Sequence, residues 1–186
     1  LRGPRGVGAL WLAKDLEPLV LGGGQEGGLR PGTESLQAAW AFSRATGRAL
    51  ETQDFRRAKA RAFEKRLIEG LSEVGALALP LGRKAGDERY SPFILSLAFP
   101  GLAGEVMVRV LSTGSPEAPS GIAVSTGAAC STNARDKKGR RVLEAMGLDE
   151  RLAFSAIRVS TGELTTEAEI EAFIAAATAH YRRLRT

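Results

Sequence analysis

Residues 156–184 read AIRVSTGELTTEAEIEAFIAAATAHYRRL, a short apolar strand followed by a long amphipathic helix. Thr166 and Glu169 form a Thr-x-x-Glu capping box, which is typical of a helix start. Apolar side chains then recur at helical spacing, at Ile170, Phe173, Ile174, Ala177, Tyr181 and Leu184. A strand that leads into such a helix predicts a mixed α/β structure.

The rest of the chain alternates between the same two patterns. Helical spacing predicts helices over 34–50, with Thr33 as the N-cap, and over 54–71, 104–111 and 140–146. Short apolar runs predict strands over 7–12, 19–21, 76–79, 93–99, 122–124 and 156–159. This alternation indicates an α/β or α+β architecture, with a domain boundary either near 70–75 or within the preceding helix.

The same patterns predict which individual side chains are buried. The inward-facing residues are expected to include Trp11, Trp40, Val106, Val110 and Leu111. His180 is a lone histidine near the end of the last helix, where we expect a solvated side chain rather than a catalyst.

The composition is that of a globular protein and excludes several other classes. Of the 186 residues, 44% are hydrophobic and 25% are charged, and no apolar run reaches the length of a membrane span. A single cysteine cannot form an internal disulfide, which indicates a reducing compartment such as the cytoplasm. With one cysteine and one histidine, the chain also lacks the ligands of a typical zinc site, and we expect no metal.

The net charge of +5 comes largely from arginine clusters. They lie at Arg56, Arg57, Arg61 and Arg66, at Arg140 and Arg141, and at Arg182, Arg183 and Arg185. A nucleic-acid surface would add interleaved aromatic residues and a recognition motif, and neither accompanies these charges. Pairs such as Arg61 with Glu64 and Lys65 with Glu69 favour solvated helix faces instead, with docking of a partner protein as the alternative.

Cys130 is the only cysteine, and its surroundings are unusual for a structural thiol. It lies in the stretch STGAACST, and no large apolar side chain occurs between Val124 and Val142. A buried cysteine is normally packed among apolar residues, whereas a reactive one needs exposure and a route to the thiolate. The nearby cations Arg135, Lys137 and Lys138 favour a thiolate if the segment folds back on them, and an incidental surface thiol is the alternative.

Two further segments are candidate binding sites. The stretch GGGQEGGLRPGT, over 22–33, places Thr33 at a predicted helix start, where N–H groups attract phosphate. For the glycines alone, a flexible turn with an ordinary threonine cap is the preferred explanation. Arg158 interrupts the apolar strand AIRVS. A guanidinium on a buried face needs a carboxylate, which can come from a structural Asp or Glu or from a substrate.

Five ordered motifs resemble the C-terminal half of a cysteine desulfurase, a class V member of the pyridoxal 5'-phosphate (PLP) aminotransferase-fold enzymes. They are GPRGVGAL at 3–10, GGGQE and LRPGTE at 22–26 and 29–34, VSTGAACS at 124–131, VLEAMGL at 142–148 and IRVSTG at 157–162. The resemblance spans nearly the whole chain. It implies the C-terminal part of the fold type I, aspartate aminotransferase-like architecture, with 1–52 ending the large PLP-binding domain and 53–186 forming the small α/β domain.

The resemblance also implies a role for each candidate residue. Cys130 matches the nucleophile that receives sulfur from L-cysteine as a persulfide, leaving L-alanine. Arg158 matches the arginine that holds the substrate carboxylate, and Thr33 matches a residue that contacts the PLP phosphate of the neighbouring subunit. The resemblance therefore implies a cytoplasmic homodimer that passes sulfur to an acceptor or scaffold protein, for iron–sulfur cluster or other sulfur-containing cofactor synthesis.

The family's PLP lysine normally lies immediately before the residue that matches Leu1. We therefore expect a fragment that is inactive by itself and requires the N-terminal half of the enzyme. The alternatives are another class V aminotransferase, a selenocysteine lyase, or a non-enzymatic domain that binds partner proteins.

Overall fold

The computed structural model describes residues 2–114, 121–126 and 141–185. The chain divides into two compact units, Leu1–Asp54 and Phe55–Thr186. Whether these units correspond to the large and small domains of an aminotransferase fold stays a prediction.

The first unit contains a single turn of 3-10 helix, Gln25–Gly28, and the helix α1, Leu36–Glu51. Ser35 is the N-cap of α1, because its hydroxyl accepts a hydrogen bond from the amide of Ala38 at 3.4 Å. The prediction that Thr33 caps this helix is therefore wrong by two residues. Both residues carry a suitable hydroxyl, but Ser35 has the extended backbone that directly precedes the helix.

The strands predicted at 7–12 and 19–21 are wrong, since the described backbone of both segments is irregular. A strand needs a paired neighbour, and neither apolar run pairs with another described segment. Trp11 and Trp40 were predicted in the core but are 84% and 69% exposed. No side chain within the described residues 2–54 is buried, so this unit supplies no core for them.

The second unit alternates helices and strands as predicted, which confirms the α/β fold class. Its elements are α2 (Gln53–Ser72, which begins before the boundary), β1 (Leu77–Leu79), β2 (Ile94–Ala98), α3 (Gly104–Thr113), α4 (Arg141–Ala145), α5 (Glu150–Phe154), β3 (Ala156–Ser160) and α6 (Glu167–Leu184). The sequence patterns missed α5, a single turn capped by Asp149, because it is too short to show a helical period. The predicted strand at 122–124 is replaced by an isolated bridge between Ser125 and Arg158.

The strands form an antiparallel sheet in the order β1-β2-β3. One face packs on the main core, where the strand residues Leu95, Leu97, Ile157 and Val159 meet Phe63, Leu67, Met107, Leu111, Phe173 and Tyr181 from α2, α3 and α6. The opposite face has a smaller cluster, in which Leu79, Ala98 and Ala156 meet Leu148 and Ala153. The sheet therefore separates a large apolar core from a face that is only partly covered by described residues.

The predicted residues of α6 are buried except for Leu184, which is 38% exposed, and no side chain of α1 is buried. In α3, Leu111 is buried as predicted, but Met107 is buried in place of Val106, which is 40% exposed. In α6, the capping box of Thr166 and Glu169 is confirmed. His180 is only 1% exposed, so the expectation of a solvated histidine is wrong: it lies three residues after Ala177 on the buried stripe.

Within the described part of the chain, no helix combines the length and apolar character needed to cross a lipid bilayer.

Candidate functional site

Arg158 lies in the middle of β3 and is half-buried. On one side it is directly opposite Ser96 of β2. On the other side its amide donates to the carbonyl of Ser125 at 2.5 Å, and the amide of Ser125 donates to the carbonyl of Arg158 at 3.2 Å. The side chain belongs to the partly covered face of the sheet, because its neighbours Ile157 and Val159 face the main core.

No ion pair joins the Arg158 guanidinium to a carboxylate among the residues that the structure describes. The sequence left open whether this arginine serves a structural acid or a substrate. Within the described ranges the structural acid is absent, and a half-buried guanidinium is well suited to bind a carboxylate with a two-pronged fork. The role of Arg158 in binding substrate stays a prediction.

Cys130 lies outside the described residues, as do Arg135, Lys137 and Lys138. The described chain reaches Thr126, immediately after the Ser125 bridge. The role of Cys130 stays a prediction.

Thr33 belongs to the first unit and follows a loop that folds back on itself. A Cβ on Gly22 would lie 2.4 Å from the Pro31 Cβ, so only glycine permits this close approach. The amide of Gly32 donates to the Gln25 side chain at 3.3 Å, which closes the loop further. Thr33 is exposed just ahead of α1, and its hydroxyl makes no hydrogen bond to a described residue.

These features of Thr33 fit a phosphate ligand. Ser35 already caps α1, so the Thr33 hydroxyl is available for another acceptor. The N-terminal end of a 16-residue helix carries partial positive charge and favours an anion nearby. Thr33 could therefore hold the phosphate of PLP, as the resemblance implies.

The sequence did not reveal a buried ionic cluster around Glu64. Its carboxylate accepts hydrogen bonds from Arg61 at 2.8 Å, from Arg83 at 2.7 and 3.1 Å, and from the amide of Gly86 at 3.4 Å. Glu64 is 1% exposed, so the Arg61–Glu64 pair is not on a solvated face as predicted. The available signal was its position next to Phe63 and three residues before Leu67, on the buried stripe of α2.

The partners of Glu64 determine its protonation. Burial by itself would raise the pKa of the Glu64 carboxyl, but the hydrogen bonds from Arg61 and Arg83, with that of Gly86, together lower it below the ordinary value. Arg61 also donates to the carbonyl of Tyr90, and Arg83 stacks on the Tyr90 ring. The cluster thus fastens the loop between β1 and β2, which precedes Ser96, to α2.

Known proteins match almost the whole chain. The sequence profile of the family described as aminotransferase class-V matches residues 1–173. The mitochondrial cysteine desulfurase of Eremothecium gossypii is 33% identical over 187 aligned positions, which cover 98% of this chain and 35% of that protein. The cysteine desulfurase IscS of Salmonella arizonae is 32% identical over 174 positions, covering 91% of this chain and 39% of that protein.

A solved structure agrees with the sequence relatives. A NifS-like protein superposes with a TM-score of 0.74 at 32% identity, over 97% of this chain and 44% of that one. The chain thus spans a little more than a third of the length of the curated relatives it matches. The family predicted from the motifs is confirmed: this chain belongs to the PLP-dependent aminotransferase class-V family.

Proposed function

We propose that this chain acts as part of a cysteine desulfurase, which converts L-cysteine to L-alanine and transfers the sulfur through Cys130. The observation that carries the proposal is the placement of Arg158. Arg158 is half-buried and has no described carboxylate partner, and its backbone forms the bridge to Ser125, five residues before Cys130. The relatives that match nearly the whole chain bear the name cysteine desulfurase.

Arg158 binds and orients the substrate through its carboxylate. A guanidinium fork makes two parallel hydrogen bonds to a carboxylate, which fix orientation as well as position. Partial burial strengthens this interaction because less water competes for the charged groups. In this role Arg158 sets the direction in which the substrate thiol points.

Cys130 accepts the sulfur. As a thiolate it attacks the substrate sulfur, so that a sulfur–sulfur bond forms while the carbon–sulfur bond of the substrate breaks. The bonding electrons of the broken bond stay with the carbon fragment, which gains a proton and leaves as alanine. Five peptide units separate Ser125 from Cys130 and span at most about 18 Å, which tethers the thiol to the Arg158 bridge.

PLP supplies the electron sink that this reaction requires when it is bound. We propose that Thr33 donates a hydrogen bond to its phosphate in the neighbouring subunit of a homodimer. The resemblance places the attachment lysine outside this sequence, so the chain is proposed to be inactive without that lysine.

The persulfide would pass to an acceptor or scaffold protein for synthesis of iron–sulfur clusters or other sulfur-containing cofactors. A reducing compartment, with the cytoplasm as our proposal, would keep the Cys130 thiol available for this transfer. The positive charge of the arginine-rich helix faces could attract an acceptor protein with an acidic surface.

The test uses the full-length enzyme that carries this chain. Cys130→Ala should still bind L-cysteine, as followed by the cofactor spectrum, but should form no persulfide on the peptide that contains position 130. Mass spectrometry of that peptide after one turnover detects the extra sulfur atom. Thr126→Ala, in the same segment, is the matched control and should form persulfide normally. Sulfide release by Cys130→Ala at the wild-type rate would overturn the proposal.

A further inference from the structure

Ser96, Arg158 and Ser125 lie side by side across the sheet. Ser96 is directly opposite Arg158 in the β2–β3 register, and Ser125 is directly opposite it across the backbone bridge. Residues directly opposed in antiparallel pairs project from the same face, with Cβ atoms about 4.5–5.5 Å apart. Arg158 is therefore flanked on both sides by serines, an arrangement that we call the Ser–Arg–Ser row.

The row faces away from the main core. Ile122 and Val124, which precede Ser125, pack against that core, so the side chain of Ser125 lies on the opposite face with Arg158. On this face the neighbouring residues Ala98 and Ala156 are buried, while Ile94 and Ser160 at the other end are exposed. The three residues of the row are half-buried, at the boundary between an apolar environment and solvent.

A guanidinium in this position has more donors than one carboxylate can accept. Arg carries five N–H groups, and a bidentate carboxylate uses two of them. The other three lose water when a ligand covers the site, and an unsatisfied buried donor is costly. Serine hydroxyls can accept such N–H groups, and the hydroxyls of Ser96 and Ser125 make no hydrogen bond to any residue within 2–114, 121–126 and 141–185.

Side-chain size supports the same role. Serine is one of the smallest polar residues, so the aliphatic part of the Arg158 side chain has room to lie over Ser96 or over Ser125. An aromatic side chain at either position, which β-strands otherwise favour, would crowd it. The Nε atom of an arginine is three bonds from its own Cβ, so rotation of the side chain can bring it to a hydroxyl on the adjacent strand.

We propose that Ser96 and Ser125 are positioning residues that accept N–H groups of Arg158 and so turn its fork toward the substrate carboxylate. This inference rests on the proposed function, in which Arg158 binds that carboxylate. Neither serine needs to touch the substrate. Loss of either hydroxyl should weaken carboxylate binding and leave the chemical step unchanged.

The experiment compares Ser96→Ala and Ser125→Ala with Ser96→Thr and Ser125→Thr in the full-length, PLP-loaded enzyme. Each alanine variant should raise KM for L-cysteine about tenfold and leave kcat within about twofold, because the lost hydrogen bond involves a charged group. Each threonine variant, which keeps the hydroxyl, should recover most of the affinity. Ser160→Ala, one row along on the same strand face, is the matched control and should behave as wild type.

A second readout separates positioning from a general structural effect. Cysteamine has the thiol and amine of cysteine but no carboxylate, so its inhibition constant and the unfolding temperature should not change in the alanine variants. An unchanged KM for L-cysteine in both alanine variants, or an equal loss of cysteamine affinity, would overturn the inference. Ser96 and Ser125 lie on different segments of the chain. If a Ser125 variant does not fold, the KM values of the Ser96 variants still decide the question.

Arg158→Leu distinguishes failure of this inference from failure of the proposed function. If Arg158→Leu weakens L-cysteine binding and the serine variants do not, only the positioning role is wrong. If Arg158→Leu leaves the affinity for L-cysteine unchanged, the carboxylate role of Arg158 and the positioning role fail together.

Discussion

The backbones of Ser125 and Arg158 exchange two hydrogen bonds, of 2.5 and 3.2 Å. Arg158 is thereby held on both edges, since β2 pairs with its other side. Ser125 lies five residues before Cys130 in the sequence. Arg158, the proposed carboxylate-binding residue, is therefore hydrogen-bonded to the residue that lies shortly before the proposed nucleophile in the sequence.

Replacement of Arg158 by lysine should weaken the binding of L-cysteine although the charge is kept. Lysine presents a point charge and cannot make the two parallel hydrogen bonds of a guanidinium fork. We expect Arg158→Lys to raise KM at least about tenfold in the full-length enzyme, measured by initial rates of alanine formation. Arg151→Lys, on the exposed surface of α5, is the control. Wild-type KM in Arg158→Lys would indicate that the fork is not used.

Loss of the Glu64 charge should destabilise the second unit. Glu64→Gln removes the carboxylate that Arg61 and Arg83 share and leaves the Arg83 side chain buried without its counter-charge. Removal of one partner from a buried ion pair costs about 3 kcal/mol, which urea unfolding of the full-length enzyme can measure. Glu69→Gln is the matched control on the same helix.

The control pair is exposed to solvent, whereas the Glu64 cluster is buried. Lys65 and Glu69 form a 3.9 Å ion pair with both side chains largely in solvent, and such pairs contribute about 0–1 kcal/mol. A loss in Glu69→Gln as large as that in Glu64→Gln would contradict the importance of burial.

The sequence predicted local structure well where apolar and capping residues recur at a regular spacing within one segment. The elements around 54–71, 104–111 and 156–159, as well as the capping box of Thr166, follow from the spacing of apolar and capping residues. The strands at 7–12 and 19–21 failed because strand formation depends on a partner, which spacing within one segment does not report.

In the candidate site, too, features within one segment could be predicted from the sequence, whereas contacts between distant segments could not. Arg158 could be found because a charge in an apolar strand is visible in the sequence. Its pairing with Ser96 and Ser125 could not, because sheet register is set by contacts distant in the chain. Glu64 appeared to be half of a surface pair, since its second arginine, Arg83, is 19 residues away.

Acid should weaken the second unit through Glu64. The folded-state pKa of Glu64 lies below its ordinary value of 4.5, so the charged form is favoured in the folded state. This stabilisation is complete above that ordinary value and is lost as the pH falls through the lower folded-state pKa. The difference in unfolding free energy between wild type and Glu64→Gln should therefore shrink as the pH is lowered below 4.5. A difference in unfolding free energy that stays constant with pH would contradict the stabilising role of the Glu64 charge.

Asp87 should contribute in the same direction, between pH 3.8 and about 2. The Arg89 side chain, with its backbone amide, lowers the pKa of the Asp87 carboxyl from 3.8 to about 2. The stability difference between wild type and Asp87→Asn should therefore be complete above pH 3.8 and disappear as the pH falls through about 2, which a pH series of thermal unfolding can resolve.

Gly104 should resist substitution because it lies against the strand that carries Arg158. A Cβ on Gly104 would lie 2.4 Å from the carbonyl oxygen of Ala156, a backbone atom that cannot move without shifting β3. Gly104→Ala should cost about 2 kcal/mol of unfolding free energy and also raise KM for L-cysteine, since Arg158 follows Ala156 by two residues. Gly162→Ala is the control, because no neighbouring atom lies within 4 Å of its added Cβ. Loss of stability without a change in KM would show that the position of Arg158 tolerates movement at the start of β3.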